Sequence, residues 1–508
     1  MLASVMSATL VGLDALPVAV EVDVGPGLPL FSIVGLPDAA VQEARERVRS
    51  AIRNSGFDMP PRRTVVNLAP GDRRKEGPAF DLPIALAVLV ATGQLAQAHV
   101  TGYLALGELA LDGSLRPVHG AIVAAQAARR SGARGLLVPP PNAPEAAVAG
   151  EVPVYAVSGL RETVEHLAGT RRIAPLSEAL PDQPSDPASS IDLADVRGQP
   201  AARRAIEIAA AGGLNLLLIG PPGVGKTMLA RRLATILPPL ERAEAVEVTK
   251  IYSVAGLLPP YSGLVRCRPF RAPHHTATPS AVVGGGGGLR PGEITLAHCG
   301  VLFLDELAEF RHDVLEVLRQ PLEDGTVIIA RAHGTVRFPA RFGLVAAMNP
   351  CPCGYRGDPR RECTCTPAQV QRYLARLSGP LLDRIDLHIE VPRPPTRDVL
   401  EGPPGETSAR VRSRVMAARA RAASRCAARA SRNGAGGAPF GAGPLDPKVV
   451  AFLRAAADRL LLGARATGRV LRVARAIADL DGADEIHTQH AAEALQYRAL
   501  DRRAPRAP

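Results

Sequence analysis

The chain lacks the features that mark membrane, secreted or base-stacking proteins. Only 3% of its 508 residues are aromatic and none is tryptophan, so a base-stacking platform for nucleic acid is not expected. No run of about 18 uncharged apolar residues occurs, and the first residues lack the basic start and cleavage site of a signal peptide. We therefore expect neither membrane insertion nor export, and we expect the protein to reside in the cytoplasm.

Lysine and cysteine are scarce, and both are unevenly placed. Lysine stands at only four positions (75, 226, 250 and 448), although Lys and Arg together number 60. Four of the seven cysteines fall within residues 351–365. Such clustering indicates reduced thiols or a metal site rather than a disulfide framework.

The composition that remains is typical of a large globular protein. With 46% hydrophobic residues the chain is too long for one core, and we expect about three domains. The formal net charge of +11 favours a polyanionic partner, although an arginine-rich composition alone gives the same charge.

The run GPPGVGKT at residues 220–227 is the strongest functional signal. It follows an apolar run at 216–219 and precedes a helical pattern expected to begin at Met228. Backbone N–H groups of the small residues would surround the α- and β-phosphates of ATP, Lys226 would reach the β- and γ-phosphates, and Thr227 would bind Mg²⁺. The predicted nucleotide-binding residues are Gly220, Pro221, Pro222, Gly223, Val224, Gly225, Lys226 and Thr227. The alternative is a glycine turn before a core helix.

Two later apolar runs end in polar residues. In VLFLDE (301–306), Asp305 would hold Mg²⁺ through water, and Glu306 would orient and polarise the water that attacks the γ-phosphate. A buried strand running into an acidic helix start gives the same pattern. LVAAMN (344–349) ends in Asn349, a candidate sensor of the γ-phosphate or the water, with a plain asparagine turn as the alternative.

Arg384 lies in SGPLLDRIDL (378–387), between a predicted helix and a predicted strand. In ring ATPases such an arginine enters the neighbouring subunit's site and neutralises transition-state charge, so it has this role only in an assembly. The alternative is an ion pair within the chain, with Asp383 or Asp386.

Residues 466–480 are predicted to form a helix with Arg469, Arg472 and Arg475 at spacings of three. One of them would contact the γ-phosphate from a carboxyl-terminal helical lid, and we favour Arg472. The others are interpreted as a solvated basic face.

The cysteine cluster directly follows Asn349 and consists of Cys351, Cys353, Cys363 and Cys365. Four thiolates could complete a tetrahedral structural Zn²⁺ site, because the turn-forming residues between the two pairs let the chain fold back. Reduced cysteines without a ligand, or redox-active ones, are the alternatives. A catalytic metal is not expected, since all four ligands would be protein side chains.

Two basic segments could contact a nucleic acid backbone. The first holds Arg271, His274, His275 and Arg290 around the glycine run 284–288, and is expected to be a mobile loop lining a ring's pore, or else a flexible connector. The second, residues 410–432, is an Ala/Arg-rich helix that could contact phosphates without reading bases. A solvated helix explains this second segment nearly as well.

Residues 1–168 alternate strand-like and helical runs, as in an α/β or α+β domain. The segments EGPAFDLPIALAVL and GELALDGSLRPVHGAIVAA resemble the proteolytic domain of the Lon family, which uses a Ser/Lys dyad. Ala79 stands where that family has serine, and Ile122 aligns with the lysine. Without nucleophile or base the acyl-transfer reaction cannot proceed, so we expect a non-proteolytic Lon-like scaffold.

The segments RPFRAPHHTATPSAVVGGG, RPGEITLAHCGVLFLDELAEF, FGLVAAMNPCPCG and SGPLLDRIDLHIEVP resemble the magnesium-chelatase-like AAA+ ATPases of the ComM/YifB family. The resemblance covers nearly the whole chain and implies an α/β fold with a Lon-like α+β domain, an AAA+ core and a helical lid. It further implies a hexameric, ATP- and Mg²⁺-dependent motor for branch migration of DNA in homologous recombination and natural transformation. Recombination proteins are further implied partners.

The expected divisions are a Lon-like domain at 1–169, a linker at 170–190, the ATPase core at 191–395, an Arg/Gly-rich connector at 396–443 and the lid at 444–508. DNA binding is expected to be electrostatic and independent of sequence, on single-stranded or branched DNA. Two alternatives to the DNA motor stay open. One is a protein-remodelling ATPase, and the other is a motor subunit of the magnesium-chelatase type.

Overall fold

The computed structural model describes residues 2–150, 152–176, 191–286, 289–331, 334–431 and 445–498. Residues 177–190 of the predicted linker, 432–443 of the predicted connector and 499–508 of the predicted lid lie outside these ranges. Within the described ranges, no helix combines the length and the hydropathy needed to cross a membrane.

The amino-terminal part of the chain folds around a mixed sheet. Its strands are β1 (Leu2–Val11), β2 (Asp14–Gly25), β3 (Leu30–Val34), β4 (Arg63–Ala69), β5 (Tyr103–Ala105), β6 (Glu108–Leu109), β7 (Leu115–Arg116), β8 (Gly135–Val138) and β9 (Val154–Ala156). The main sheet has the order β3-β4-β2-β1-β5-β8-β9, and β6 pairs with β7 in a small hairpin. β1 and β2 pair antiparallel along their length, and alternate residues of β2 such as Val18, Val20 and Val22 face the core.

The helices of this part are α1 (Ala39–Asn54), α2 (Asp81–Ala91), α3 (Gln97–Val100), α4 (Ala121–Arg130), α5 (Ala143–Val148) and α6 (Leu160–Ala168). α1 begins after Asp38, whose carboxylate accepts a hydrogen bond from the Val41 N–H at 2.8 Å. Every residue of α2 is buried, as its almost continuously apolar sequence requires. The mixed sheet and its helices confirm the α+β class expected for this region.

The second large sheet is parallel and lies at the centre of the ATPase core. The strands of the core are β10 (Leu216–Ile219), β11 (Phe270–Arg271), β12 (Gly284–Gly285), β13 (Arg290–Pro291), β14 (Val301–Leu304), β15 (Thr326–Arg331), β16 (Gly334–Pro339), β17 (Gly343–Met348) and β18 (Leu387–Glu390). The sheet has the order β11-β14-β17-β10-β18, with all neighbours parallel. All four residues of β10 are buried, because helices cover both faces of a parallel sheet.

The helices of the core are α7 (Pro200–Gly212), α8 (Lys226–Ile236), α9 (Arg242–Ala255), α10 (Pro279–Val283), α11 (Glu293–Leu296), α12 (His312–Glu316), α13 (Arg319–Asp324), α14 (Pro367–Leu374), α15 (Gly379–Leu382) and α16 (Thr396–Leu400). α8 begins at Lys226, two residues before the expected start, because the last glycine of the loop is its N-cap. The glycine run is also more regular than expected, since Gly284 and Gly285 pair with Pro291 and Arg290 in a short hairpin.

The carboxyl-terminal region is helical, as expected, with α17 (Ser408–Ser431), α18 (Pro447–Leu460), α19 (Ala464–Leu480) and α20 (Thr488–Gln496). Among its described residues, the buried side chains share a core with the parallel sheet. Val470 and Ile477 of α19 belong to the same apolar cluster as Ile206 of α7 and Leu216 of β10. The helical region therefore packs directly on one face of the parallel sheet.

Five of the described arginines of α17 bind within the chain. Arg412 donates to the Thr235 carbonyl at 2.9 Å, and Arg414 pairs with both Glu207 and Glu406 at 2.7 and 2.6 Å. Arg419 donates to the Ala210 carbonyl. Arg421 donates to the Asp479 carbonyl, and Arg425 forms an ion pair with the Asp479 carboxylate. These contacts connect α17 to the core and the lid, which a purely solvated helix would lack, whereas Arg410 and Arg421 are exposed. Phosphate contact by this helix stays a prediction.

The amino-terminal part contacts the core through α4, α5 and α9. The Gly120 N–H at the start of α4 donates to Ser253 Oγ of α9 at 3.1 Å. Val254 of α9 belongs to the same apolar cluster as Ile122 and Val123 of α4. A buried polar contact beside an apolar one holds α4 and α9 together.

Candidate nucleotide-binding site

Residues 220–225 form the loop between β10 and α8. Gly223 and Gly225 have φ of 77° and 91°, a left-handed backbone that glycine adopts without the strain of a Cβ. The loop therefore turns tightly into the N-terminus of α8, where unpaired backbone N–H groups and the helix dipole favour phosphate.

Lys226 is buried at the start of α8. Its ammonium donates to the carbonyls of Gly220 and Pro221 at 2.7 and 2.9 Å and to Asn349 Oδ1 at 3.2 Å. Burial lowers the pKa of Lys226, an effect that Asp305 and Glu306 oppose. The lysine therefore lies at the junction between the loop and the end of β17.

Thr227 and Asp305 lie side by side. The Thr227 hydroxyl donates to Asp305 Oδ2 at 2.7 Å, although 78 residues separate them in sequence. A hydroxyl and a carboxylate are the hard oxygen ligands that Mg²⁺ prefers when it also binds phosphates. The two side chains thus fit the predicted Mg²⁺ position.

Glu306 follows Asp305 with φ of 54°, which is unusual for a residue with a side chain. Its carboxylate is half-exposed, and His275 Nδ1 lies 3.3 Å from its Oε2. The sequence predicts a mobile loop around His275 and does not reveal this contact. The signal that could have revealed it is strand order: β11 pairs with β14, so the segments that leave their carboxyl ends meet.

The predicted residues from three strands share one cavity. β10, β14 and β17 are neighbours in the sheet, and their carboxyl ends carry the loop, the acidic pair and Asn349. The cavity has a volume of about 430 Å³. It is lined by Pro222, Gly223, Gly225, Lys226, Thr227, Met228, Asp305, Glu306, Met348 and Asn349. This arrangement provides groups for phosphate, Mg²⁺ and the attacking water in one place.

Arg384 and Arg472 lie elsewhere. They line a second cavity of about 230 Å³ with Glu323, Asp383, Arg465 and Arg469. Arg384 binds Glu323 and donates to the Pro380 carbonyl at 2.6 Å, so its partner is not the aspartates considered from sequence. In one protomer the structure brings these two arginines to each other and not to the phosphate loop.

The lid arginines have separate partners. Arg469 and Arg472 both bind Asp386 Oδ1, at 3.0 and 2.7 Å. Arg475 is buried and donates to the carbonyls of Ala483 and Asp484. Of the three, Arg472 is the most exposed, with 43% of its side-chain surface accessible, which keeps it the best placed to meet a ligand from outside.

The four clustered cysteines come together beside the nucleotide site. Cys351 Sγ lies 3.4 Å from Cys353 Sγ and 3.6 Å from Cys363 Sγ. All four sulfur atoms, including that of Cys365, lie within 4.8 Å of one another, and all four cysteines are free thiols. The arrangement fits four ligands around one metal ion.

The Lon-like part has no reactive pair at the dyad positions. Ile122 is fully buried in α4, and Ala79 contributes its carbonyl to a hydrogen bond from the Gly107 N–H at 3.0 Å. The polar groups nearby are structural: Arg47 binds both oxygens of the buried Asp81, at 2.6 and 3.0 Å. Burial raises the pKa of Asp81 to about 6, against the lowering effect of Arg47.

The parallel sheet carries a phosphate loop, an acidic strand end and a polar strand end, and a helical region packs beside it. Together these features define a P-loop ATPase of the AAA+ class. Models of magnesium chelatase subunit ChlI match residues 192–399, residues 20–142 and, for the ChlI C-terminal region, residues 405–498. The chain is 45% identical to competence protein ComM of Haemophilus influenzae over 511 residues, covering 99% of this chain and 98% of that protein.

It is also 45% identical to the uncharacterized protein YifB of Escherichia coli over 506 residues, covering 97% and 96% of the two chains. A shorter match, 29% identity over 187 residues and 34% of this chain, is to Lon protease 2 of Bacillus subtilis. The chain belongs to the ComM/YifB family of magnesium-chelatase-like AAA+ proteins. ATPase activity with ATP and Mg²⁺ follows from this family.

Proposed function

We propose that the protein is a ring-shaped motor that uses ATP hydrolysis to move DNA, as a branch-migration helicase in homologous recombination and natural transformation. The observation that carries the proposal is the division of catalytic groups between two cavities of one protomer. Lys226, Thr227, Asp305, Glu306 and Asn349 converge in the first, whereas the arginines lie in the second. Full-length similarity to a protein named for competence supports the biological context.

Within one protomer, the loop N–H groups and Lys226 would bind the phosphates. ATP would supply the γ-phosphoryl group, and Thr227 and Asp305 would hold a Mg²⁺ that neutralises charge on the phosphate oxygens. Glu306 would orient the attacking water. Asn349 bonds to the Lys226 ammonium at 3.2 Å, so it is placed to respond when that ammonium turns to a phosphate.

The second cavity supplies the argument for a ring. Arg384 and Arg472 do not reach the phosphate loop of their own protomer, but both line a cavity with Arg465 and Arg469. A neighbouring protomer that placed its nucleotide against this cavity would receive arginine charge at the γ-phosphate. We therefore extend the proposal to a homo-oligomer, a hexamer as in the family resemblance.

DNA contact is proposed for the insertion between β11 and β14. Arg271 is paired with Glu293 at 2.7 Å, and His275 faces Glu306. His274 and Arg290 are exposed and remain candidates for phosphate contact. Binding through such groups would be electrostatic and would weaken as salt rises. The proposal places the motor in the cytoplasm, with recombination proteins as partners, and adds one Zn²⁺ at the four cysteines to ATP and Mg²⁺.

The test is the steady-state ATPase rate of the purified protein without DNA and with duplex, single strands or a four-way junction, across a salt series. We expect stimulation by DNA that fades as salt rises, with the junction most effective. The Glu306→Gln variant, which should bind ATP without turnover, controls for contaminating ATPases.

Absence of any DNA response at low salt would overturn the DNA motor and favour a protein-remodelling ATPase. Stimulation by a chelatase-type partner subunit, with no DNA effect, would favour the magnesium-chelatase alternative. Both alternatives keep the nucleotide site and change only what the motor acts on.

The shared site has its own test. Arg384→Ala should leave ATP binding intact and abolish turnover, because the arginine would serve the neighbouring protomer. Mixing Arg384→Ala protein with Glu306→Gln protein should restore part of the activity, since some interfaces then combine an intact Glu306 with an intact Arg384. Mixtures as inactive as the separate variants would contradict a site shared between protomers.

A further inference from the structure

We infer that Cys351, Cys353, Cys363 and Cys365 bind one Zn²⁺, and that this site holds Asn349 and the phosphate loop in the geometry needed for hydrolysis. The four cysteines lie within residues 351–365, directly after β17. The inference deepens the proposed function, because it rests on ATP hydrolysis at the phosphate loop, but it does not depend on DNA.

The sulfur positions fit a tetrahedral metal. Zn–S bonds of about 2.3 Å place neighbouring sulfurs about 3.8 Å apart, whereas a disulfide joins them at about 2.05 Å. The Sγ separations among Cys351, Cys353 and Cys363 are 3.4, 3.6 and 3.6 Å. An iron–sulfur cluster would place thiolates on different iron atoms and therefore further apart. A single ion fits the observed spacing best.

Backbone geometry supports ligand loops of this kind. The Cys353 N–H donates to Cys365 Sγ at 3.3 Å, a hydrogen bond that stabilises a thiolate. The Gly354 N–H donates to the Cys351 carbonyl at 3.0 Å, and Gly354 has φ of 85°, so the first pair of cysteines forms a tight turn. The turn directs both thiols of this pair toward Cys363.

The segment between the cysteine pairs has no apolar core of its own. From residue 352 to residue 369 no apolar side chain is buried, and most residues are exposed. Its remaining contacts are polar or on the surface, such as Arg361 stacked on the Tyr355 ring at 4.1 Å. A short exposed loop without a core is held in one conformation most effectively by a metal ion.

The cysteine loop lies directly against the nucleotide site. Gly354 approaches Pro222 of the phosphate loop so closely that a Cβ at Gly354 would lie 2.9 Å from Pro222 Cδ and 3.8 Å from Asn349 Cγ. Further along, the Asp358 carboxylate binds Arg393 at 3.1 Å, just after β18. The loop thus connects β17 to the segment after β18 across the phosphate loop.

The consequence is mechanical support of the hydrolytic site. Asn349 precedes Cys351 by two residues and bonds to the Lys226 ammonium, so movement of the cysteines would displace it. The metal would take no part in the chemistry, because four thiolates leave no open coordination position. Loss of the metal should therefore lower turnover while the remaining phosphate contacts persist.

The test begins with metal content. The full-length protein, purified without added metal, should contain about one zinc per chain by plasma mass spectrometry and no stoichiometric iron or sulfide. The Cys353→Ser/Cys363→Ser double variant should contain almost none. Cys426→Ser, which alters an exposed cysteine of α17, is the matched control and should keep the zinc.

The second readout is ATPase turnover without DNA, with nucleotide affinity measured separately. We expect the double variant to lose at least about tenfold in kcat with a smaller change in ATP affinity, and the control to match the parent. Cys365→His offers a check on folding, because histidine is also a zinc ligand and should retain metal and turnover.

Three results would overturn the inference. Native protein with no zinc, or with iron in its place, would remove the Zn²⁺ assignment. A zinc-free double variant that turns over ATP at the parental rate would remove the supporting role. A Cys365→His variant that keeps zinc but loses turnover as the double variant does would show that the metal does not hold the site. If DNA failed to stimulate the ATPase of the parent protein while the zinc and turnover results were as expected, the DNA motor would be contradicted and the zinc inference would stand.

Discussion

The Lon-like part and the nucleotide site both resemble families whose activity depends on a few polar residues. They differ in whether those residues are present and in whether their polar groups are buried or accessible. In the Lon-like part the dyad positions hold Ala79 and Ile122, and the polar groups nearby are buried in mutual pairs such as Arg47–Asp81. In the nucleotide site Lys226, Thr227, Asp305, Glu306 and Asn349 line one open cavity, whereas the predicted arginines lie in another. Glu306 has 54% of its side chain accessible.

The contrast shows how to distinguish a retained scaffold from a working site. Polar groups that are buried and satisfied by each other stabilise a fold, since an unpaired buried charge is costly. Polar groups that line a cavity with room for a ligand are available for chemistry. Substitutions in the first region should therefore change stability, and substitutions in the second should change turnover.

The largest expected effect is at Lys226. Lys226→Ala should abolish ATP binding and reduce turnover by more than about 100-fold, because the loop loses the charge that reaches the β- and γ-phosphates. Nucleotide affinity and steady-state ATPase measure the effect. Lys448→Ala, which alters an exposed lysine of α18, is the control and should match the parent. A Lys226→Ala protein with near-normal turnover would place the phosphate contacts elsewhere.

The sequence predicts some parts of the nucleotide site and not others. The phosphate loop, Asp305, Glu306 and Asn349 could be predicted because each follows a short apolar run, and parallel strands bring their carboxyl ends together. The contact of His275 with Glu306 could not, since it depends on β11 lying beside β14.

The partners of the arginines could not be predicted from the sequence for a related reason. The composition of an Ala/Arg-rich helix predicts exposed arginines, yet Arg419 is half-buried and donates to the Ala210 carbonyl, and burial lowers its pKa to about 10. Whether such an arginine faces solvent or crosses to a neighbour is decided by tertiary packing, which local composition does not encode.

A smaller effect, on stability, is expected at Arg47. Arg47→Met should destabilise the protein by roughly 4 kcal/mol at pH 8, because the fully buried Asp81 carboxylate would lose its partner. Lowering the pH toward 5 should reduce the loss as Asp81 takes up a proton. The free energy of unfolding from denaturant titration measures this effect.

The matched control for Arg47→Met is Arg45→Met on the same helix, whose arginine forms an exposed pair with Glu46. It should change stability by less than about 1 kcal/mol. ATPase turnover at 25 °C should be unchanged in both variants. Equal destabilisation by the two substitutions would contradict the distinction between buried and exposed pairs.

Glu145 should give a smaller effect that depends on pH. Burial raises its pKa from 4.5 to about 7, despite hydrogen bonds from Ser253 and Asn142. The folded state therefore favours the protonated carboxyl, so this contribution to stability is complete below pH 4.5 and is lost as pH rises through 7. Glu145→Gln should be close to the parent at pH 5 and more stable than it by up to about 3 kcal/mol at pH 8.

Unfolding free energies measured from pH 5 to pH 8 test this, with the difference between variant and parent as the readout. Groups that both proteins share, such as His119, make the same pH-dependent contribution to each unfolding free energy, so the difference removes it. Burial lowers the pKa of His119, so its contribution to the pH dependence is opposite to that of Glu145. A difference that stays constant with pH would contradict a shifted Glu145. Since Ser253 belongs to α9, a changing difference would also locate the effect at the contact between the Lon-like part and the core.

The smallest effect is expected where the Lon-like part resembles a protease most closely. Ala79→Ser restores the hydroxyl of the dyad, but Ile122 is fully buried in α4 and offers no base. A serine without a base is a weak nucleophile, so neither a fluorogenic peptide nor casein should be cleaved. Stability should change by less than about 0.5 kcal/mol, because the position is only partly buried. Measurable cleavage would reveal another base near residue 79. The Lon-like part would then contain a potential active site and would not be a scaffold alone.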